Sequence, residues 1–194
     1  MAYLECYADN VLSSELEPDD LLGLIIRLFT DADWNGDAST TRSTTGIWLE
    51  LYNPTSGHTW AIAWSTCRQT HTASSTAEAE TVAHSFGLRR EALPVQLLLE
   101  QLLGSTIPII GLVDNDQAIT AIKKGYSKKL RALPRTHRVA VGVLNDCLQD
   151  VDVCYEIQHC STDLNKADLF TKALNTDKFE RARQMIGVKA GCNF

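Results

Sequence analysis

LIIRLFTDADWNGDASTTRSTTGIWLELYNPTSGHTWAIAWS, residues 24–65, is the stretch that decides the fold. Leu24 to Asp33 is rich in Ile, Leu and Phe and reads as a strand. Gly36-Asp37 and the Ser/Thr-rich run to Thr45 then make a loop. Gly46 to Tyr52 is a second strand, Asn53 to Gly57 a turn, and His58 to Ser65 a third strand. In that third strand Trp60, Ile62 and Trp64 alternate with His and Ala, the period-two pattern of a half-buried strand with its large residues on one face. Connections this short are hairpin connections, so the three strands form an antiparallel meander.

Downstream the pattern changes. Thr72 to Leu93 has helical composition, and Ser75 with Glu78 three residues on resembles a capping box. Pro94 either kinks this helix or begins a second one, Val95 to Leu103, which Gly104 closes. Ile107 to Val113 is short and continuously apolar, as expected of a buried central strand. Asn115 to Lys124 reads as a helix, and another runs from about Thr136 to Gln149. Val151 to His159 is a strand with Val151, Val153, Tyr155 and Ile157 on one face, and a final helix begins near Asn165. The order βββ-α-β-α-α-β-α describes an α/β chain, a mixed sheet with helices packed on it. Residues 1–20 are acidic and lack periodicity, so they read as a tail or linker remnant; the domain spans 21–186, and 187–194 is a C-terminal tail.

The bulk composition narrows the class. With 194 residues, 44% of them hydrophobic and 22% charged, the chain can bury a core without disulfide or metal staples. Its net charge of −6 is not that of a typical nucleic-acid binder, but the average hides an asymmetry. Between Gln117 and Asn145 lie seven basic residues, Lys123, Lys124, Lys128, Lys129, Arg131, Arg135 and Arg138, and no acid. Such a run is either a solvated loop or a grip for phosphates. The six cysteines show no CxxC pair, which suggests a reducing, intracellular compartment. The most apolar early run, Leu21 to Phe29, contains Arg27 and is far too short for a membrane span, so no membrane association is expected.

Four acids sit where elements begin or end: Asp31, Glu80, Asp114 and Asp168. Each alone has an ordinary reading. Asp114 or Asn115 can cap the following helix, Asp168 suits a helix first turn, Glu80 a solvated helix face and Asp31 a strand-end turn. Together they carry more weight, because strand ends and helix starts converge at one edge of a mixed sheet. Four carboxylates there repel unless cations neutralise them or some stay protonated. All-oxygen ligands select hard ions such as Mg²⁺ or Mn²⁺. Glu78 and Glu80 are separated by about 200° around a helix axis, so both cannot face one site. Glu78 has the capping box as its alternative role.

These residues lie in strings that carry a family likeness. Phe29-Thr30-Asp31-Ala32-Asp33-Trp34-Asn35-Gly36-Asp37, Thr41-Arg42-Ser43-Thr44-Thr45-Gly46 and Ser74-Ser75-Thr76-Ala77-Glu78-Ala79-Glu80 resemble the ribonuclease H region of copia-type retrotransposons. Val113-Asp114-Asn115-Asp116-Gln117-Ala118-Ile119, Arg135-Thr136-His137 and Ala167-Asp168-Leu169-Phe170-Thr171-Lys172-Ala173-Leu174 continue the likeness in the same order. It covers about Phe29 to Leu174 and departs at Ala173, where the family usually has Pro; residues 1–20 have no counterpart.

The resemblance implies a ribonuclease H-like fold with a five-stranded mixed sheet, three antiparallel strands and then two more. It implies hydrolysis of the RNA strand of RNA–DNA hybrids with two Mg²⁺ ions, or Mn²⁺, held by Asp31, Glu80, Asp114 and Asp168. Asp33 belongs to the motif but is expected to face away from Asp31 or to sit past the strand end. His159 is placed to correspond to a mobile histidine that helps product or proton departure. Asn35, Ser74, Ser75, Thr76 and Asn115 lie beside the acids and are candidates for reading the minor groove, with turn and cap formation as the alternative. Lys123 to Arg138 would hold phosphates. A reverse transcriptase domain in a parent polyprotein is the expected partner, in a cytoplasmic particle or the nucleus. The competing readings are a hybrid-binding relic that does not cut and an integrase- or resolvase-like nuclease with fewer acids.

Overall fold

The computed structural model describes residues 9–190. The meander forms as expected from β2 (Ile25–Asp33), β3 (Thr44–Tyr52) and β4 (Thr59–Arg68), preceded by a short β1 (Asn10–Leu12). Helix α1 (Thr76–Gly87) runs through a π-helical turn, Leu88–Ala92, directly into α2 (Leu93–Leu103). Pro94 offers no amide and crowds the carbonyl one turn back, and the widened turn precedes it without ending the helix. Gly104 closes α2 in the left-handed conformation, φ 69°. β5 (Ile109–Val113), α3 (Asp116–Lys124), a one-turn α4 (Leu133–Thr136), α5 (Val141–Gln149), β6 (Tyr155–His159), α6 (Thr176–Met185) and β7 (Val188–Ala190) complete the order.

The main sheet has strand order β4-β3-β2-β5-β6, with β2 antiparallel to β3 and parallel to β5. Its central position buries β2 on both faces. Ile26 and Leu28 join Ile47, Leu49, Ile109, Ile157 and the inner face of α1 in the larger core. Phe29 on the other face packs with Trp48, Ala167, Cys160 and Phe170. The apolar pattern of β2 therefore ends in an acid-bearing segment, Asp31-Ala32-Asp33, at the sheet's edge.

Several boundaries differ from the sequence reading. Trp60 and Trp64 do not share a face, because a bulge opposite Leu49/Glu50 leaves Ile62 without a partner and reverses the alternation. They remain 46% and 52% exposed, and Trp64 stacks on Trp48. The helix expected from about Thr136 starts only at Val141, since Arg138 adopts a left-handed conformation that breaks the ladder. The last main strand begins at Tyr155, not Val151; Val151 is 87% exposed, and Cys154 at φ 47° separates the two segments. Near Asn165 there is a 3-10 turn, Lys166–Phe170, and α6 follows only at Thr176.

The expected tails also contribute structure: β1 pairs antiparallel with β7, Asn10 opposite Ala190. Residues 1–8 and 191–194 of those tails, with Cys6 and Cys192, lie outside the described residues. Cys67, Cys147, Cys154 and Cys160 are free thiols. Among the described residues no helix is long and apolar enough to cross a membrane.

Candidate active site

Asp31, Glu80 and Asp114 converge at the end of the sheet, each offering one carboxylate oxygen within 4.8 Å of the others. Asp31 reaches this point on central β2, Asp114 directly follows β5, and Glu80 lies in the second turn of α1. Ser75 starts α1 at the correct rotation by accepting the Glu78 amide at 3.2 Å. The capping box is only half formed, because the Glu78 carboxylate turns back to the Ser74 amide and hydroxyl instead of the Ser75 amide. Glu78 is thereby committed to the helix start, and Glu80, about 200° away, faces the acids.

Asp168 arrives by a different route. Its 3-10 turn docks on the sheet through Asn165, whose Nδ2 donates to the Thr30 carbonyl at 3.0 Å. Lys166 Nζ donates to buried Glu50 at 2.6 Å, where Arg27 and the Trp48 indole also bind. The turn lies so close to β3 that a Cβ on Gly46 would meet Thr171 Cγ2 at 2.6 Å and the Ala167 carbonyl at 2.7 Å. Lys172 then links Asp168 to the cluster: its Nζ donates to Asp31 Oδ1 at 2.9 Å and to Asp168 Oδ1 at 3.0 Å. The Thr171 hydroxyl donates to the second Asp31 oxygen.

The electrostatics are those of crowded, poorly solvated acids. Burial, reinforced by the charges of Asp31 and Asp114, pushes Glu80 up to about 9, so its neutral form persists at physiological pH. Asp168 rises to about 6 through burial and the Asp31 charge, with Lys172 opposing. Burial alone would lower Lys172, but its contacts with Asp31 and Asp168 outweigh this and hold it charged. Asp33 closes β2 two residues after Asp31, hence on the same face and not away from it, yet outside the three-carboxylate group. Burial and the Asp31 charge raise it as well.

A divalent cation fits this site on the structure's own terms. Glu80 Oε1 accepts the Ala32 amide at 3.3 Å, while Oε2 is buried with no hydrogen-bond partner. An orphaned carboxylate oxygen among like charges needs a proton or a cation, and an all-oxygen donor set suits a hard ion.

The remaining expected residues divide. His159 ends β6 in register with Val113, one residue before Asp114, and is exposed. Ser75 and Asn115 are occupied as N-caps, Asn115 accepting the Ala118 amide at 3.0 Å. Thr76 and Asn35 are exposed, the latter in a left-handed turn at φ 56°. Lys123, Lys124, Lys128, Lys129, Arg131, Arg135 and Arg138 are all exposed. Lys124, Lys128 and Lys129 line a cleft of about 530 Å³ that also includes Ser75 and Asp116, and Tyr126 in its wall is 60% exposed. Arg138 instead lines a separate cavity of about 380 Å³ with Arg68, Arg89 and Arg90. Arg68 and the pair Arg89-Arg90 lie outside the basic run between Gln117 and Asn145, so a reading of that run misses them. Thr171 and Lys172 stand inside a recognised motif, but nothing in their spacing announced a contact with Asp31.

Sheet order, helix placement and the acid-bearing edge together define a ribonuclease H-like α/β domain. The structure of LC11-RNase H1, isolated from compost by a metagenomic approach, superposes with a TM-score of 0.50 at 16% identity. The match covers 81% of this chain and 97% of that one. By sequence the chain is similar to a retrotransposon Pol polyprotein: over 166 residues, 84% of its length, it is 28% identical to the retrovirus-related Pol polyprotein from transposon TNT 1-94 of Nicotiana tabacum. The matched region spans about 11% of that polyprotein. No family model matches the chain.

Proposed function

We propose that this domain is a metal-dependent endoribonuclease that hydrolyses the RNA strand of RNA–DNA hybrids during retrotransposon replication. The observation that carries the reading is the convergence of Asp31, Glu80 and Asp114, with Asp168 tied to Asp31 through one lysine. Asp31, Glu80, Asp114 and Asp168 would hold two Mg²⁺ or Mn²⁺ ions. When bound, such ions supply Lewis-acid stabilisation of charge at phosphorus and ease ionisation of the attacking water. Asp31, bonded on both oxygens and fully buried, is itself held in place by Thr171 and Lys172. Glu80 would ligate a cation as its carboxylate, releasing to water the proton that burial favours. His159, exposed at the edge beside Asp114, is available to carry a proton to the departing strand.

Hybrid binding falls to the cleft lined by Lys124, Lys128 and Lys129, with Lys123, Arg131 and Arg135 extending the positive surface and Arg138 adding charge at the separate arginine-lined cavity. Asn35 and Thr76 are exposed near the acids and free to meet sugar hydroxyls, whereas Ser75 and Asn115 contribute mainly by capping. We assign the domain to a parent polyprotein alongside a reverse transcriptase, working in a cytoplasmic particle or the nucleus.

The test is cleavage of an end-labelled RNA–DNA hybrid by the purified chain with Mg²⁺ or Mn²⁺, against EDTA and Asp114→Asn controls. RNA-strand cutting that needs metal and vanishes in the mutant is the expected result. Binding without cutting would favour a silent, hybrid-holding module instead.

A further inference from the structure

The four carboxylates are not equally free. Asp31 has both oxygens engaged from one short segment, Oδ1 by Lys172 Nζ and Oδ2 by the Thr171 hydroxyl. The same ammonium bonds Asp168, so Lys172 lies between two of the four acids. The other side of the cluster differs: among the described residues no Lys or Arg pairs with Glu80 or Asp114, and Glu80 Oε2 has no partner at all.

We infer that Lys172 is a displaceable counter-ion that makes the two cation positions of this site unequal. A divalent ion at Asp31, Glu80 and Asp114 leaves Lys172 its bond to Asp168, whereas one entering at Asp31 and Asp168 must first displace the Lys172 ammonium from both acids. The inference rests on the metal-site reading above. Three features make displacement feasible. A lysine is a compact charge on a flexible stem, so its head can leave without moving the backbone. The Lys172 side chain is 34% exposed, which gives the head a path to water. The main chain is held independently, with the Thr171 and Lys172 amides donating to the Asp168 carbonyl at 3.3 and 3.1 Å. Meanwhile the ammonium keeps Asp31 and Asp168 from repelling each other, so the second position stays assembled before an ion arrives. Lys172 is in this sense a positioning residue.

The experiment is a Mn²⁺ titration of the full chain, followed by calorimetry and by the paramagnetic signal of free Mn²⁺, for wild type, K172Q and K172R. Melting of each is followed in EDTA and in Mn²⁺. Wild type should bind one ion at least about tenfold more tightly than the second. K172Q should tighten the second ion by about tenfold and leave the first unchanged, while K172R keeps the wild-type pattern. K172Q should also melt below wild type in EDTA, with the deficit closing in Mn²⁺. Two ions of equal affinity in wild type overturn the inference without any variant. So does K172Q with an unchanged or weakened second ion, or with a melting deficit that Mn²⁺ does not close. Failure of the metal-site reading looks different: no Mn²⁺ binding in any form, or binding indifferent to Asp31→Asn.

Discussion

Asp31, Glu80 and Asp114 are carried by a strand, a helix and a strand end, whereas Asp168 rides on a 3-10 turn held from outside. The first three need little beyond their own elements. β2 and β5 are adjacent and parallel, and Ser75 sets the rotation of α1. Asp168 depends on contacts with sequence-distant residues: Asn165 with Thr30, Lys166 with Glu50, the turn against Gly46, and Thr171 and Lys172 with Asp31. Regular elements place side chains by periodicity, while an irregular turn has its position chosen by what it packs on. The difference teaches that one edge of this site is intrinsic to the sheet, and the other is assembled by docking.

The comparison can be broken most forcefully at the intrinsic edge. Asp31→Asn or Asp114→Asn should reduce metal-dependent hybrid cleavage by at least about 100-fold, and Asp114→Asn, which breaks no ion pair, should do so with melting in EDTA little lowered. A hybrid assay with matched melts reads both quantities. Residual activity within a few-fold of wild type would remove these acids from the chemistry.

At the docked edge, Gly46→Val should destabilise the fold by about 2–3 kcal/mol, because Thr171 and the Ala167 carbonyl occupy the space for a Cβ. Urea unfolding measures the loss, and the amide resonances of residues 166–172 should shift more than those around Glu80. Equal perturbation at both edges would argue that the turn is not separately docked. Asn165→Ala is expected to cost somewhat less, about 1–2 kcal/mol, since it removes a cap and leaves the buried Thr30 carbonyl unpaired.

The pH response separates the edges again. Glu80 holds its proton up to about 9 in the fold and only to its ordinary value of 4.5 when unfolded. The raised value means that its contribution to metal-free stability is complete below pH 4.5 and is lost as pH climbs through about 9. Asp168 behaves likewise over a lower window, from 3.8 to about 6. Melts in EDTA across these windows should fall with pH, and Glu80→Gln should flatten the decline between pH 6 and 9. A decline that persists unchanged in this variant would place its origin elsewhere. The smallest effect is expected outside both edges: neutralising Lys128 and Lys129 should lower the salt dependence of hybrid binding by about one unit of slope each, with little change in cutting at saturation.

Much of this architecture was legible in the residues. The meander, the buried strand Ile109–Val113 and the Ser75 N-cap followed from local apolar pattern and turn chemistry, which act over a few residues; the choice between Asp114 and Asn115 as the next cap did not. The choice of Glu80 over Glu78 followed from helix rotation together with the capping role that Ser75 offers Glu78. The boundaries that failed include those at Arg138 and Cys154, non-glycine residues held in left-handed conformations, the helix start near Asn165, and the Trp60–Trp64 alternation undone by a bulge. None of these has a local signal strong enough to announce itself, because each is imposed by the neighbouring strand or helix.

The sequence by itself therefore determined which acids exist, the element that carries each of the first three, and their approach to one sheet edge, since periodicity and caps are local properties of the chain. Only the tertiary structure decided that Asp168 stands on a 3-10 turn and not a helix. It alone tied that acid to Asp31 through Lys172, put Lys124, Lys128 and Lys129 in one cleft and Arg138 in another, and paired Asn10–Leu12 with Val188–Ala190 as β1 and β7. These are contacts between residues far apart in sequence, and their energy comes from burial and charge pairing that exist only once the sheet has formed.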